Sequence, residues 1–212
     1  MDDLQGQLDK LAAMYPGEKT DLNHSNPFEL LVATILSAQC TDERVNTITA
    51  KLFPAFPTPE ALAQASFEQV ADLIKSAGLW RTKARNLILM AQILVEEYDG
   101  QVPNTREDLE KLPGVGRKTA GVVLANAFDI PAIAVDTHVF RVANRLGLAD
   151  ASDPLETEKQ LMEVLPQEYW IRAHRWLIRH GRVICKARSP LCSQCPLQPH
   201  CSYFQALEEK ES

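Results

Sequence analysis

The sequence predicts an all-α protein, and three observations carry that reading. Apolar residues recur at spacings of three and four along nearly the whole chain, no alternating β-branched run competes with them, and helix-capping residues alternate with glycines. The first element carries Leu4, Leu8, Leu11 and Ala12 on one face. PFELLVATILSAQ follows, opened by Asn26-Pro27, where an Asn cap and a proline at the first helical position both favour a start. FEQVADLIKSAG opens at Ser66 and stops at Gly78, and ARNLILMAQILVEEY stops at Gly100. Thr105, with Asp108 three residues on, opens a short helix that Pro113 ends, and GVVLANAFDI belongs to the helix after it. VFRVANRLGL stops at Gly147, TEKQLMEVL opens at Asp153-Pro154, and RAHRWLIRHGRVI is expected to stop at Gly181. With no internal repeat or low-complexity segment, this amounts to roughly ten short helices.

The 212 residues are 45 % hydrophobic and 24 % charged, which suits a globular protein of one or two cores and excludes a disordered chain. No stretch reaches transmembrane length, and the amino-terminal MDDLQGQLDK is polar and acidic, unlike a signal peptide. A cytoplasmic location is therefore expected. The net charge of −6 and isoelectric point near 5.4 argue mildly against a nucleic-acid partner, but the average conceals an asymmetry. Between Trp170 and Arg188 stand Arg172, Arg175, Arg179, Arg182, Lys186 and Arg188 with no acid, whereas ADASDPLETE and the tail LEEKES are acidic. That stretch reads either as a phosphate-binding face or as a solvated helix flank.

Four of the five cysteines are spaced Cys185-x6-Cys192-x2-Cys195-x5-Cys201, in a run broken by Pro190, Pro196 and Pro199. Thiolates are soft ligands, and prolines leave so short a segment little hydrogen-bonded structure of its own, so a metal is the expected source of order. An iron–sulfur cluster fits the spacing best. A four-thiolate zinc site usually shows two short Cys-x2-Cys pairs where this loop has one, and disulfides need an oxidising compartment. The fifth thiol, Cys40, reads as a small buried hydrophobe.

The second motif is LEKLPGVGRKTAGVVLANAF, Leu109 to Phe128, a helix-hairpin-helix in which Gly114 and Gly116 free the backbone around Val115. Outward-pointing N–H groups at a helix start suit a DNA phosphate, and an ordinary αα-hairpin is the rival reading. Lys118 sits in the first turn of the second helix, where a cation opposes the macrodipole at a cost of a few tenths to about 1 kcal/mol. The dipole, Arg117 and an expected partial burial all disfavour its ammonium form, and a lysine shifted in that way can serve as an amine nucleophile. Further on, AIAVDTHVFR delivers Asp136 to a helix start, where it reads as an N-cap or as a carboxylate acting with Lys118.

Taken together, LPGVGRKTA, VDTHVFR and the cysteine loop resemble the endonuclease III family, bacterial DNA glycosylases of the helix-hairpin-helix-GPD superfamily, over about residues 22–203. The resemblance implies a two-lobed fold with a [4Fe-4S] cluster on Cys185, Cys192, Cys195 and Cys201. One lobe is a six-helix domain, residues 25–130, and the other joins residues 1–24 to 131–212. Damaged duplex DNA would lie across the cleft, with Lys118 and Asp136 at its mouth. The implied activity is excision of oxidised pyrimidines followed by β-elimination through a lysine Schiff base, by a monomer in the bacterial cytoplasm that meets DNA at the nucleoid. Lys118 would be the nucleophile and Asp136 the stabilising carboxylate; Leu112, Gly114, Val115, Gly116 and Arg117 would hold DNA. Gln39 and Leu79 would fill the space left by the flipped nucleotide, with His138, Ser37 and Asp42 near the lesion pocket. Helix-end polar groups and a loop leucine are the plainer readings of these residues. A monofunctional adenine mismatch glycosylase, which usually has serine where Lys118 stands, and a non-catalytic iron–sulfur DNA-binding module are the alternatives. Cys40, where relatives often carry alanine, and Gly121, where asparagine is frequent, depart from the family pattern, and either could tune loop mobility.

Overall fold

The computed structural model describes residues 2–17 and 19–211, with side chains for 4–17 and 19–209, so part of the acidic tail LEEKES lies outside the described side chains. No strand occurs among the described residues. The chain divides into two compact units, Thr20–Ile130 and Met1–Lys19 with Pro131–Ser212.

The unit Thr20–Ile130 holds seven helices among its described residues, one more than expected: α2 (Pro27–Ser37), α3 (Asp42–Ala55), α4 (Pro59–Ala63), α5 (Phe67–Ile74), α6 (Trp80–Glu97), α7 (Arg106–Lys111) and α8 (Arg117–Ala127). Helix α2 is its centre. Phe28 and every residue from Leu30 to Leu36 are buried, because α3, α6 and α8 pack around it. The starts read from sequence are real caps: Asn26 Oδ1 accepts from the Glu29 N–H at 2.9 Å. Ser66 and Gln69 form a reciprocal capping box, and Thr105 accepts from the Asp108 N–H. Helices α3 and α4 carry Thr41 and Thr58 caps that sequence reading passed over. In α3 the buried set Val45, Ile48, Thr49 and Leu52 has helical spacing, but polar residues dilute it.

The other unit contains α1 (Asp2–Met14), α9 (Thr137–Leu146), α10 (Pro154–Val164), α11 (Trp170–Val183) and α12 (Ser202–Glu211), with short 3₁₀ turns at Gln167–Tyr169, Cys192–Gln194 and Gln198–His200. Its core joins Leu8 and Leu11 of α1 to Val139 and Val142 of α9, Leu161 of α10, and Trp176 and Leu177 of α11; Cys185, Cys195 and Cys201 pack against its edge. Gly181 does not stop α11. The helix runs on to Val183, and a Cβ at Gly181 would lie 3.0 Å from the His138 Cβ and 3.1 Å from an Arg141 guanidinium nitrogen. Glycine is there so that α9 and α11 can approach closely, a role local sequence does not distinguish from a helix end.

Candidate active site and metal loop

The hairpin is built as α7, a turn and α8. Leu112 closes α7, Val115 N–H donates to Leu112 O at 3.0 Å, and α8 starts after Gly116. Gly114 has φ of +84°, and a Cβ there would lie 3.1–3.3 Å from Asn86 and Ile35. The conformational need for glycine is therefore at Gly114. Gly116 has φ −104° and ψ −179°, ordinary extended backbone that any residue adopts, and a Cβ there would meet nothing within 4 Å. Space outside Gly116 is open, and the first turn of α8 has no side-chain cap and no acid. The N–H groups of that turn have no intrahelical acceptor, which leaves a donor-rich, positively polarised end. Leu112 and Val115 are 2 % and 7 % exposed, so their side chains shape the turn and the surface belongs to Gly114, Gly116 and Arg117.

Lys118 stands in this first turn and is exposed, where partial burial was expected. Asp136 caps α9: one carboxylate oxygen, Oδ1, accepts from the N–H groups of His138 and Val139, both at 2.8 Å. Its other oxygen has no partner among the described residues, so capping leaves that atom available. His138 is half-buried, its Nδ1 3.2 Å from Arg141. In the other unit Ser37 donates its hydroxyl to Thr34 O at the end of α2, and Asp42 is the first residue of α3, where an acid suits the dipole. Gln39 and Leu79 both adopt left-handed backbone, φ 55° and 58°, and both are exposed, Leu79 to 60 %. Cys40 is half-buried in the turn after α2 rather than a core hydrophobe, and Gly121 is buried inside α8 rather than in a loop.

Cys185, Cys192, Cys195 and Cys201 line one partly open pocket together with Leu146, Ile184, Leu191, Tyr203 and Phe204, and its walls are almost wholly apolar. Among the described residues no three His, Cys, Asp or Glu side chains converge as ligands of a single ion. The thiols instead surround a volume. Burial pushes the Cys195 and Cys201 thiols up, and the neighbouring cysteines push the same way, so four thiolates would not collect here without cationic charge among them. A cluster whose irons supply that charge fits this donor set, as [4Fe-4S] clusters on four cysteines do.

Several supports had no recognisable sequence motif. Arg145 donates to Cys185 Sγ at 3.4 Å and to the carbonyls of Lys186 and Ala187, and Arg141 donates to Cys185 O. His180 is 1 % exposed; its Nε2 is 3.5 Å from Cys195 Sγ and its Nδ1 3.0 Å from the Tyr15 hydroxyl. Burial lowers its pKa to about 4. On α11, Arg172, Arg179 and Arg182 are exposed and Arg175 is half-buried, and Arg172 also stacks over Tyr169.

Residues 32–167 match the family model of HhH-GPD superfamily base excision DNA repair proteins, and residues 185–201 match the iron–sulfur binding domain of endonuclease III. Endonuclease III of Bacillus subtilis (strain 168) is 50 % identical over 96 % of this chain and 93 % of its own length. The chain belongs to the endonuclease III family. The endonuclease III of Escherichia coli (strain K12) is 47 % identical over 95 % of both chains. Among solved structures, a non-covalent endonuclease III–DNA complex superposes with a TM-score of 0.92 at 46 % identity, covering 98 % of each chain. A trapped endonuclease III–DNA covalent intermediate, an estranged-adenine complex, does so with a TM-score of 0.91, covering 97 % of this chain and 98 % of that one. With this membership the cysteine loop is the family's cluster site, and the cofactor is a [4Fe-4S] cluster.

Proposed function

We propose that this chain is a base-excision-repair enzyme that removes oxidised pyrimidines from duplex DNA and then cuts the strand at the abasic site. It is a DNA N-glycosylase with AP lyase activity. The observation that carries the reading is Lys118, an exposed amine in the uncapped first turn of α8, in a chain 46 % identical to a protein trapped as a covalent DNA intermediate.

In this reading Lys118 Nζ, once deprotonated, attacks C1′ of the damaged nucleoside and the base leaves with the glycosidic electron pair. The sugar ring opens and the amine becomes an imine, which acidifies the C2′ hydrogen; loss of that proton expels the 3′-phosphate. Asp136 supplies negative charge as positive charge develops on the sugar and assists proton transfers. The open backbone at Gly116, with Gly114 and Arg117, receives a phosphate at the start of α8, and Leu112 and Val115 hold the turn in shape. Gln39 and Leu79 fill the hole left by the extruded nucleotide, and His138, Ser37 and Asp42 contribute to the lesion pocket. The protein acts as a monomer on damaged duplex in the cytoplasm, its affinity coming from local strips such as α11 rather than from net charge. A lysine at position 118 speaks against an adenine mismatch glycosylase, which forms no imine. The test is a panel of duplexes, each with one lesion opposite each normal base, scored separately for base release, strand scission and borohydride trapping; base release without trapping would refute the lyase.

Two substitutions separate structure from chemistry. Gly116→Ala meets no steric obstacle, so melting should be unchanged while affinity for intact and damaged duplex weakens about tenfold, roughly 1.4 kcal/mol. Gly114→Ala forces a Cβ into left-handed backbone against Asn86 and should instead lower the melting temperature. Equal binding by Gly116→Ala and wild type in a fixed-salt titration would return the hairpin to a connector. Asp136→Asn keeps an oxygen able to cap α9, so binding and stability should survive while base release falls about a hundredfold, the scale for losing one preorganised electrostatic group. Loss of stability in proportion to activity would mean that Asp136 is only a cap.

A further inference from the structure

Lys83 of α6 is 4 % exposed, and neither the chemistry nor the hairpin uses it. Its ammonium donates to Leu36 O at 2.8 Å and Ala38 O at 2.6 Å, carbonyls at the end of α2 that have no acceptor role within the helix. Leu36 and Ala38 lead directly into Gln39. Along its own helix, Lys83 N–H donates to Leu79 O at 3.1 Å, which places the lysine one turn beyond Leu79. The two left-handed residues also meet through their turns, since a Cβ on Gly78 would lie 3.1 Å from Gln39 O. Unlike glycine, glutamine and leucine resist left-handed backbone, and it persists only where the surroundings impose it. Here the surroundings are the Lys83 ammonium, gripping the segment before Gln39, and the α6 backbone that follows Leu79.

We propose that Lys83 is the positioning residue that joins Gln39 and Leu79 into one preorganised wedge, ready to enter the helix when a nucleotide leaves. The inference rests on the reading of Gln39 and Leu79 as hole-filling residues. A long buried cation suits the task because three donors at the end of a packed stem can hold two carbonyls at once. With both turns ordered before DNA arrives, the conformational cost of ordering them does not fall on the flipping step.

The experiment compares single-turnover base release from one lesion paired with guanine against the same lesion opposite an abasic site, where there is no pair to break and no orphaned base to support. Lys83→Met should lower the paired-to-unpaired rate ratio about tenfold or more, and Lys83→Gln, which retains one donor group, should lower it less. A general loss of fold would depress both rates and leave their ratio alone, which would overturn the proposal. The Gln39→Ala, Leu79→Ala double variant runs beside them. If its ratio does not fall, the hole-filling reading itself is wrong; if its ratio falls and that of Lys83→Met does not, Lys83 is merely a buried strut. Should the Lys83 variants not fold, hydrogen exchange on the wild-type protein decides: the Lys83 and Cys40 amides, which donate to Leu79 O and Ser37 O, should exchange slowly before DNA is added. Protection that develops only on the complex would refute preorganisation.

Discussion

Replacing Lys118 by glutamine should abolish borohydride-trapped adducts and strand scission by several orders of magnitude while the protein keeps its fold and its brown colour. The size of the effect follows from the nature of the step. Imine formation needs a primary amine at the reacting carbon, and an amide cannot supply one, so the covalent route is removed rather than slowed. Stability should stay level or rise slightly, because Lys118 is an exposed cation in the first turn of α8, where it opposes the helix dipole and packs against no core. Loss of activity with equal or better stability marks a residue kept for chemistry. Undiminished adducts from Lys118→Gln, with tryptic mapping of the cross-link to another amine, would sink the assignment.

Replacing Cys195 by serine should have the next largest effect, through folding rather than chemistry. The wild-type protein should hold about four irons and four acid-labile sulfides per chain, the composition of a [4Fe-4S] cluster. The cavity that receives them is nearly without polar surface, and the loop around it offers only two 3₁₀ turns of regular structure. Metal binding in such segments supplies folding energy on the order of 10 kcal/mol, comparable with the stability of a whole domain. Cys195→Ser should therefore lose most of its iron and visible absorbance and melt many degrees lower. Leu197, fully buried in the core beside Cys195, would be released with it. DNA affinity should fall at least tenfold as the arginines of α11 lose the loop that follows the helix and that Arg145 of α9 holds by two carbonyls, although no catalytic residue has changed. A brown, equally stable Cys195→Ser protein would show that the loop folds without its fourth thiolate. A colourless wild type holding one zinc would overturn the cluster assignment and leave the Lys118 chemistry standing.

Much of this architecture was legible because its signals are local. Asn26, Ser66, Thr105, Asp136 and Asp153 cap helices by bonds to N–H groups two or three residues away, so spacing along the chain is enough to find them. The same holds for the left-handed end of α9 at Gly147 and for the order of the four cysteines. Readings that depended on a distant neighbour fared worse. Gly181 is read as a stop until α9 is seen to press His138 and Arg141 against it. The reasons for Gly114 and Gly116 are indistinguishable in the string PGVG, yet one is a left-handed turn wedged against Asn86 and Ile35 and the other is open space.

The sequence by itself determined the helical class, the hairpin with its lysine, the capping aspartate and the thiolate set, because each rests on residue type and spacing within a few turns. Tertiary structure alone decided which groups hold those motifs in place. Lys83 reaches back 47 and 45 residues to the carbonyls before Gln39, His180 stands between Tyr15 and Cys195, and Arg145 grips a loop about 40 residues away. Such partners lie far apart along the chain and leave no periodicity behind. A buried lysine or histidine reads as an ordinary surface residue until the fold removes its water and the neighbouring chain must supply the hydrogen bonds that water would have made.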